Sequence, residues 1–315
     1  MAIATGTRFA AMLLACALPT AAAVAVRSAP PTLASLSVRG LDALSVSTAA
    51  SLLEEHGVVH VRDAVPMPLV EECEGVVERN LVACREALER RGVSFDDSFA
   101  HTEIVHRAKR RYDLQLGAEA HEPLDDAVLA DAPWLPLMRK LLGDDAICLF
   151  TGAVVAESGA ADQPMHMDGG HLFHATHGFE QPQCPPHCVN VFLPLVDVTA
   201  ENGPTEYWPG SHVVGHAREA YAEREPGVPL AGARGDIIVF DYRVVHRGMA
   251  NAAETRRPVL YSTFARPWFR DALNFPPDAL FATAGGGGGG FGGGVAKPKA
   301  RRGKAKGRTQ KKRQR

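Results

Sequence analysis

From residue 68 to residue 91 apolar residues recur at helical spacing: Leu69, Val70, Cys73, Val76, Val77, Leu81, Ala83, Cys84 and Leu88, with acids and bases between them. Such a stripe predicts a helix with one buried face. Shorter helices are expected over residues 47–56 and 135–142, and a strand over 57–61. Beyond Ala146 the pattern becomes strand-like, with runs at 147–155, 188–196, 236–241 and 259–264. Turn signals separate them, Glu201-Asn202-Gly203-Pro204 and Pro209-Gly210-Ser211 among them. Helices first and strands second predict an α+β domain over residues 42–275. Its sheets would form a sandwich or barrel, with the N-terminal helices packed on one face. No internal repeat is visible.

The ends read differently. Residues 1–41 contain no acid, and an apolar run from Phe9 to Val26 is broken by Pro19 and Thr20. A basic start, an apolar centre and small residues at Ala23-Val24-Ala25 predict a cleavable signal or organelle-targeting leader rather than a membrane anchor. Residues 276–315 read as a Gly-rich linker and a disordered basic tail. The last 31 residues hold nine glycines in the 285–294 tract and 11 of the chain's 34 Lys and Arg, with no acid. The remainder therefore carries 23 bases against 36 acids, a net of −13. No nucleic-acid partner is expected for so acidic a body, whereas the tail is a candidate contact for anionic surfaces or a nuclear import signal. Six cysteines are too few for a disulfide scaffold, although Cys184 and Cys188 could pair in an oxidising compartment.

Five of the 13 histidines fall between positions 166 and 187. On an extended chain His166 and Asp168 point to one side, so an imidazole nitrogen and a carboxylate oxygen can reach one metal. Downstream, the 236–241 strand leads into His246, and Arg257 opens the next strand. Two histidines and one carboxylate leave open coordination positions and suit non-haem Fe(II). An arginine fork on the same cavity suits a dicarboxylate. His171, His174, His177, Cys184, His187 and Cys188 include zinc-ligand types, but Pro185-Pro186 suits an ordinary loop. The basic cluster at Arg107, Lys109, Arg110 and Arg111 reads first as a solvated face and second as a clamp for an anionic group.

Taken in order, Gln163-Pro164-Met165-His166-Met167-Asp168-Gly169, Glu201-Asn202-Gly203-Pro204-Thr205, Trp208-Pro209-Gly210-Ser211-His212, Gly235-Asp236, His246-Arg247-Gly248 and Arg257-Pro258 resemble the phytanoyl-CoA dioxygenase family. The resemblance covers roughly residues 50–270. It implies a double-stranded β-helix (a jelly-roll, cupin-like core), with Fe(II) on His166, Asp168 and His246. Arg257 would bind the distal carboxylate of the co-substrate 2-oxoglutarate, with Arg256 the alternative should the strand slip by one residue. Phe192 would stand beside the co-substrate, and Asn190 would hydrogen-bond its metal-side carboxylate.

The implied activity consumes O2 and 2-oxoglutarate, releases succinate and CO2, and hydroxylates a small organic molecule. Halogenating relatives lack the carboxylate found here at Asp168. Gly248 departs from the pattern, standing where a co-substrate-contacting serine can occur, so that contact is expected to be missing. Two other classes remain open: a non-catalytic binding protein on a degenerate oxygenase fold, and a zinc-dependent barrel hydrolase.

Overall fold

The computed structural model describes residues 31–125, 129–172, 184–213, 222–223, 225–271 and 275–281. The apolar run of the leader, the Gly tract and the basic tail lie outside them, as do His174 and His177. Among the described residues no helix is long and apolar enough to cross a membrane.

An eight-stranded sheet and a three-stranded sheet form the jelly-roll core. In the large sheet the order is β1 (Ser37–Arg39), β2 (Val58–Arg62), β9 (Ile237–Asp241), β6 (Cys188–Pro194), β11 (Arg257–Ala265), β5 (Ile147–Ala156), β4 (Arg111–Gln115) and β3 (Ile104–Ala108). The small sheet runs β10 (His246–Gly248), β7 (Thr205–Tyr207) and β8 (Val228–Leu230). Every residue of β11 is buried. One face lines a cavity through Arg257, Val259, Tyr261 and Thr263, and helices α2 (Met67–Arg90) and α3 (Leu135–Leu142) also pack against this strand.

The long helix lies within one residue of its expected span, because its stripe buries Val70, Cys73, Val76, Val77, Leu81, Cys84 and Leu88. Helix α1 (Ala43–His56) starts four residues before the expected 47. Asp42 caps it by accepting from Ser45 N at 2.8 Å, and Gly57 ends it in the left-handed region (φ 79°). Ser37–Arg39, which the sequence assigned to the leader, pair in parallel with His60–Arg62. The compact unit runs through Leu280, beyond the expected 275. There Thr102 Oγ1 donates to Pro276 O (2.9 Å) and Arg91 donates to the carbonyl of Ala279 (3.0 Å).

The β3–β4 hairpin was not anticipated, since its charges suggested a solvated surface. Yet β4 is buried at every position. Arg107 is paired with Asp113 (Nε–Oδ2 2.9 Å), and Arg111 Nη2 donates to Ala161 O (3.1 Å) and Met249 O (2.9 Å). Partners distant in sequence take hydrogen bonds from these side chains, and local composition cannot report them.

The turn motifs brace strand β10. Asn202 ties its own loop by donating to Asp197 O (2.7 Å), and Gly203 (φ 79°) lies against the Met249–Ala250 carbonyls, where a Cβ would stand 2.2 Å from Ala250 O. Ser211 Oγ accepts from Val245 N at 2.8 Å. Asp236 accepts from His60 Nε2, Asp63 N and Ala233 N, each at 2.9 Å, and so joins β2 to the turn before β9.

Candidate metal centre and its cavity

The segment through His166 lies antiparallel to β10. His166 N donates to His246 O (3.0 Å), His246 N donates to His166 O (2.9 Å), and Gln163 N donates to Gly248 O (2.9 Å). This pairing brings residues 80 positions apart together, with ring centroids 4.4 Å apart. Asp168 Oδ1 lies 3.8 Å from His166 Nε2 and 3.6 Å from His246 Nε2, and the three ligand atoms all fall within 4.8 Å of one another. Among the described residues this is the one cluster able to hold a metal ion.

Each donor is oriented from behind. His166 Nδ1 lies 2.8 Å from Pro164 O, and His246 Nδ1 lies 3.1 Å from Val244 O. A carbonyl only accepts, so each Nδ1 carries the proton and each Nε2 presents a lone pair to the centre. Burial lowers the pKa of His246 against the pull of Asp168, which keeps this ring in its ligating neutral form. The ring is enclosed by Tyr207 (5.7 Å, stacked) and Phe240 (4.9 Å).

Asn190 donates from Nδ2 to Asp168 Oδ2 (2.5 Å) and accepts at Oδ1 from Thr263 Oγ1 (2.5 Å). The sequence expectation gave it the co-substrate carboxylate. In the structure both ends of its amide engage protein, so that it aims Asp168. Register explains the link, because Asn190 of β6 sits opposite Thr263 of β11. Asn190→Ala is therefore expected to weaken Fe(II) binding roughly 10–100-fold, the range for residues that orient a ligand, with little change in fold. Metal titration alongside circular dichroism checks it.

The cavity beside the triad has a volume of about 440 Å³, with Phe192 on its wall. The Phe192 ring stands edge-on to Phe240 (4.8 Å) and leans on Tyr261 (6.1 Å). Arg257 faces this cavity and is 2% exposed, with Nε and Nη2 lacking any partner among the described residues. Its neighbour Arg256 turns outward and binds Glu78 Oε2 at 2.7 Å. Strand alternation thus separates the two arginines.

At Gly248, where a serine contact is expected to be missing, other side chains take up the space. A Cβ there would lie 2.6 Å from both Arg111 Nη1 and Gln163 Oε1. The guanidinium of Arg111 fills the volume that a side chain at 248 would claim. Burial pushes Arg111 down to about 10, and burial followed by the charge of Arg111 pushes Arg257 down to about 9. Both directions mark cations short of countercharge. Two buried guanidiniums and a His-Asp-His donor set sharing one cavity fit a metal with a dicarboxylate bound beside it.

Two further devices on the wall were not legible beforehand. Tyr261 lies across strand β5 because Gly152 has no side chain, a Cβ there standing 2.5 Å from the phenol oxygen. Its hydroxyl donates to Asp113 Oδ1 at 2.9 Å, completing a row with Arg107. Tyr242 packs over Gly169 and donates to Asp271 Oδ2 at 2.5 Å. Burial and the charge of Asp168 raise the Tyr242 pKa, so the phenol remains a donor.

The histidine- and cysteine-rich loop forms no second centre among the described residues, where Cys184 and Cys188 are both free. His187 is buried, and burial with the charge of Arg243 pushes it down to about 4.

Comparison with known proteins agrees with this geometry. Dioxygenase af480 of Aspergillus fumigatus is 30% identical over 151 residues, which cover 47% of either chain. Dioxygenase lolE1 of Epichloe uncinata is 24% identical over 164 residues, covering 49% of this chain and 60% of that one. The matches span about half the length of these curated relatives. The fold is shared with AviO1 from Streptomyces viridochromogenes Tue57, at 21% identity and a TM-score of 0.55 over 74% of this chain and 98% of that one. It is also shared with SnoN, a non-heme alpha ketoglutarate dependent epimerase from nogalamycin biosynthesis, at 18% identity and 0.51 over 71% and 82%. The phytanoyl-CoA dioxygenase profile matches residues 53–259, and the chain belongs to that family.

Proposed function

We propose that this chain is a non-haem iron, 2-oxoglutarate-dependent dioxygenase that hydroxylates a small organic molecule. The observation that carries the reading is the His166–Asp168–His246 cluster opening onto the same cavity as the buried, uncompensated Arg257. His166, Asp168 and His246 would hold Fe(II), and Arg257 with Arg111 would hold the distal carboxylate of 2-oxoglutarate. When bound, iron and 2-oxoglutarate supply the oxidising power: O2 is reduced while the co-substrate loses CO2 to give succinate, and the second oxygen atom enters a C–H bond of the substrate. The protein's part is positional. Asn190 and the two backbone carbonyls fix the donor atoms, Phe192 and Val259 keep one wall apolar, and Tyr207 and Phe240 shield His246 from water.

The test is succinate formation from 2-oxoglutarate, measured with Fe(II), with Zn(II) and without metal. Turnover with Fe(II) and none with Zn(II) is expected. Hydrolase activity with Zn(II) would replace this reading with the zinc hydrolase. Tight Fe(II) binding without succinate across a substrate panel would replace it with the degenerate binding protein.

A further inference from the structure

The cavity wall carries two phenols, and one of them leads outward. Tyr261 has as ring neighbours Phe150 (6.2 Å) and Phe192 (6.1 Å), which line the cavity themselves. Tyr242 lines it too, four residues before His246 and packed on Gly169, the residue after Asp168. Its ring meets half-buried Phe269 edge-on at 6.2 Å, and Phe269 meets Trp268 edge-on at 6.3 Å. Of the chain's three tryptophans, Trp134 and Trp208 are buried and Trp268 is 59% exposed. The buried ring of His187 fills the angle, 4.7 Å from Phe269 and 6.2 Å from Trp268. Aromatic rings therefore run without a break from the wall beside the metal cluster to the surface.

The oxygenase reading above, on which this inference rests, gives such a path a use. When 2-oxoglutarate is consumed with no substrate in place, two oxidising equivalents are left in the cavity, and a site must keep them from its own ligands. A phenol or an indole loses an electron far more readily than an aliphatic side chain or a phenyl ring. Tyr242 is set to do so, because its hydroxyl donates to Asp271 Oδ2 at 2.5 Å and the proton has an acceptor as the electron leaves. Phe269 bridges phenol and indole without being oxidised itself. Trp268, in contact with water, can be restored by a soluble reductant.

We propose that Tyr242, Phe269 and Trp268 form an outlet for oxidising equivalents, with Trp268 the residue that is covalently oxidised when no reductant is present.

Atoms and electrons balance. With a reductant, 2-oxoglutarate, O2, two electrons and two protons give succinate, CO2 and water. Without one, the indole gives up the two electrons. A ring C–H bond is replaced by a bond to a hydroxyl from water, and two protons are released. The net change is one oxygen atom on Trp268 for each succinate and CO2 formed.

The test incubates full-length protein with Fe(II), 2-oxoglutarate and O2 but no substrate, with catalase to remove stray peroxide. Mass spectrometry reads the oxygen gained by each peptide against succinate formed. Oxidation is expected to concentrate on Trp268, to spare the peptide carrying His166 and Asp168, to be suppressed by ascorbate, and to be lost with Zn(II) in place of Fe(II). In Tyr242→Phe the ring stays and the readily oxidised phenol is gone. Trp268 oxidation per succinate is expected to fall at least about tenfold, and oxidation of the His166 peptide to rise. In Trp268→Leu succinate should form at the natural initial rate, and the added oxygen should move to Tyr242. Equal oxidation of Trp268 with and without the Tyr242 hydroxyl, damage in the natural protein falling first on the His166 peptide, or an unmodified Tyr242 in Trp268→Leu would each overturn the outlet. No succinate with Fe(II) would instead remove the oxygenase reading, and this proposal with it.

Discussion

Asp168→Ala is expected to abolish iron binding at micromolar metal and, with it, all 2-oxoglutarate turnover. The carboxylate is the one anion among three donors. Without it, two neutral imidazoles 4.4 Å apart remain to hold a divalent cation. Residues that merely orient a ligand already contribute roughly 10–100-fold to metal affinity, so loss of a ligand should exceed about 100-fold. The variant should fold, because Asp168 is partly exposed and its bond to Asn190 is the one side-chain tie lost. It should also lessen the upward push on Tyr207 and Tyr242, whose phenols are raised first by burial and then by its charge. Calorimetric titration with Fe(II) under argon, beside a circular dichroism spectrum, checks the pair of expectations. Tight stoichiometric binding in the variant would mean that the metal sits elsewhere.

The parts of this centre that could be read from the chain are those set by local spacing. His166 and Asp168 share a face because residues i and i+2 of an extended segment do. The long helix was legible because its apolar stripe must be buried. Arg257 and Arg256 could be named but not separated, since the choice depends on strand register, and a slip of one residue exchanges their faces. Register is fixed by partners far away: Arg257 sits opposite Ala156, and Thr263 opposite Asn190.

What stayed hidden depends on such distant pairings. Arg111 looked solvated inside a run of bases, yet it is buried against carbonyls 50 and 138 residues away. Gly248 looked like a missing contact, and it is the vacancy that the Arg111 guanidinium fills. Asn190 was placed on the cavity face, but its hold on Asp168 was not foreseen, because that role depends on Thr263 from β11. Gly152 and Gly169 carry no signal as letters. Each gives up its side-chain volume to a tyrosine, Tyr261 or Tyr242, that becomes visible only when strands are stacked.

Arg257→Met should move two properties in opposite directions. Arg257 is 2% exposed, Nε and Nη2 have no partner among the described residues, and Arg111 adds a second positive charge nearby. Without ligand this pair is a burden on the fold, because an uncompensated buried charge costs a few kcal/mol. Methionine has similar length and no charge, so the ligand-free protein should gain stability. For a domain of this size about 1 kcal/mol corresponds to roughly 2–4 °C in Tm, and a rise of several degrees is expected. The dicarboxylate loses its bidentate partner at the same time. Truncating one side of a buried, hydrogen-bonded charge pair costs about 2–5 kcal/mol, so 2-oxoglutarate should bind at least about 30-fold more weakly. Its stabilisation of the natural protein, about 2.7 kcal/mol at a hundred times the dissociation constant, should nearly vanish in the variant at the same concentration. Thermal melts with and without 2-oxoglutarate, run on metal-loaded protein, read both effects together. A lower ligand-free Tm with unchanged 2-oxoglutarate affinity would identify Arg257 as a structural cation. A higher Tm with lost affinity identifies a charge whose burial is offset only when a carboxylate arrives.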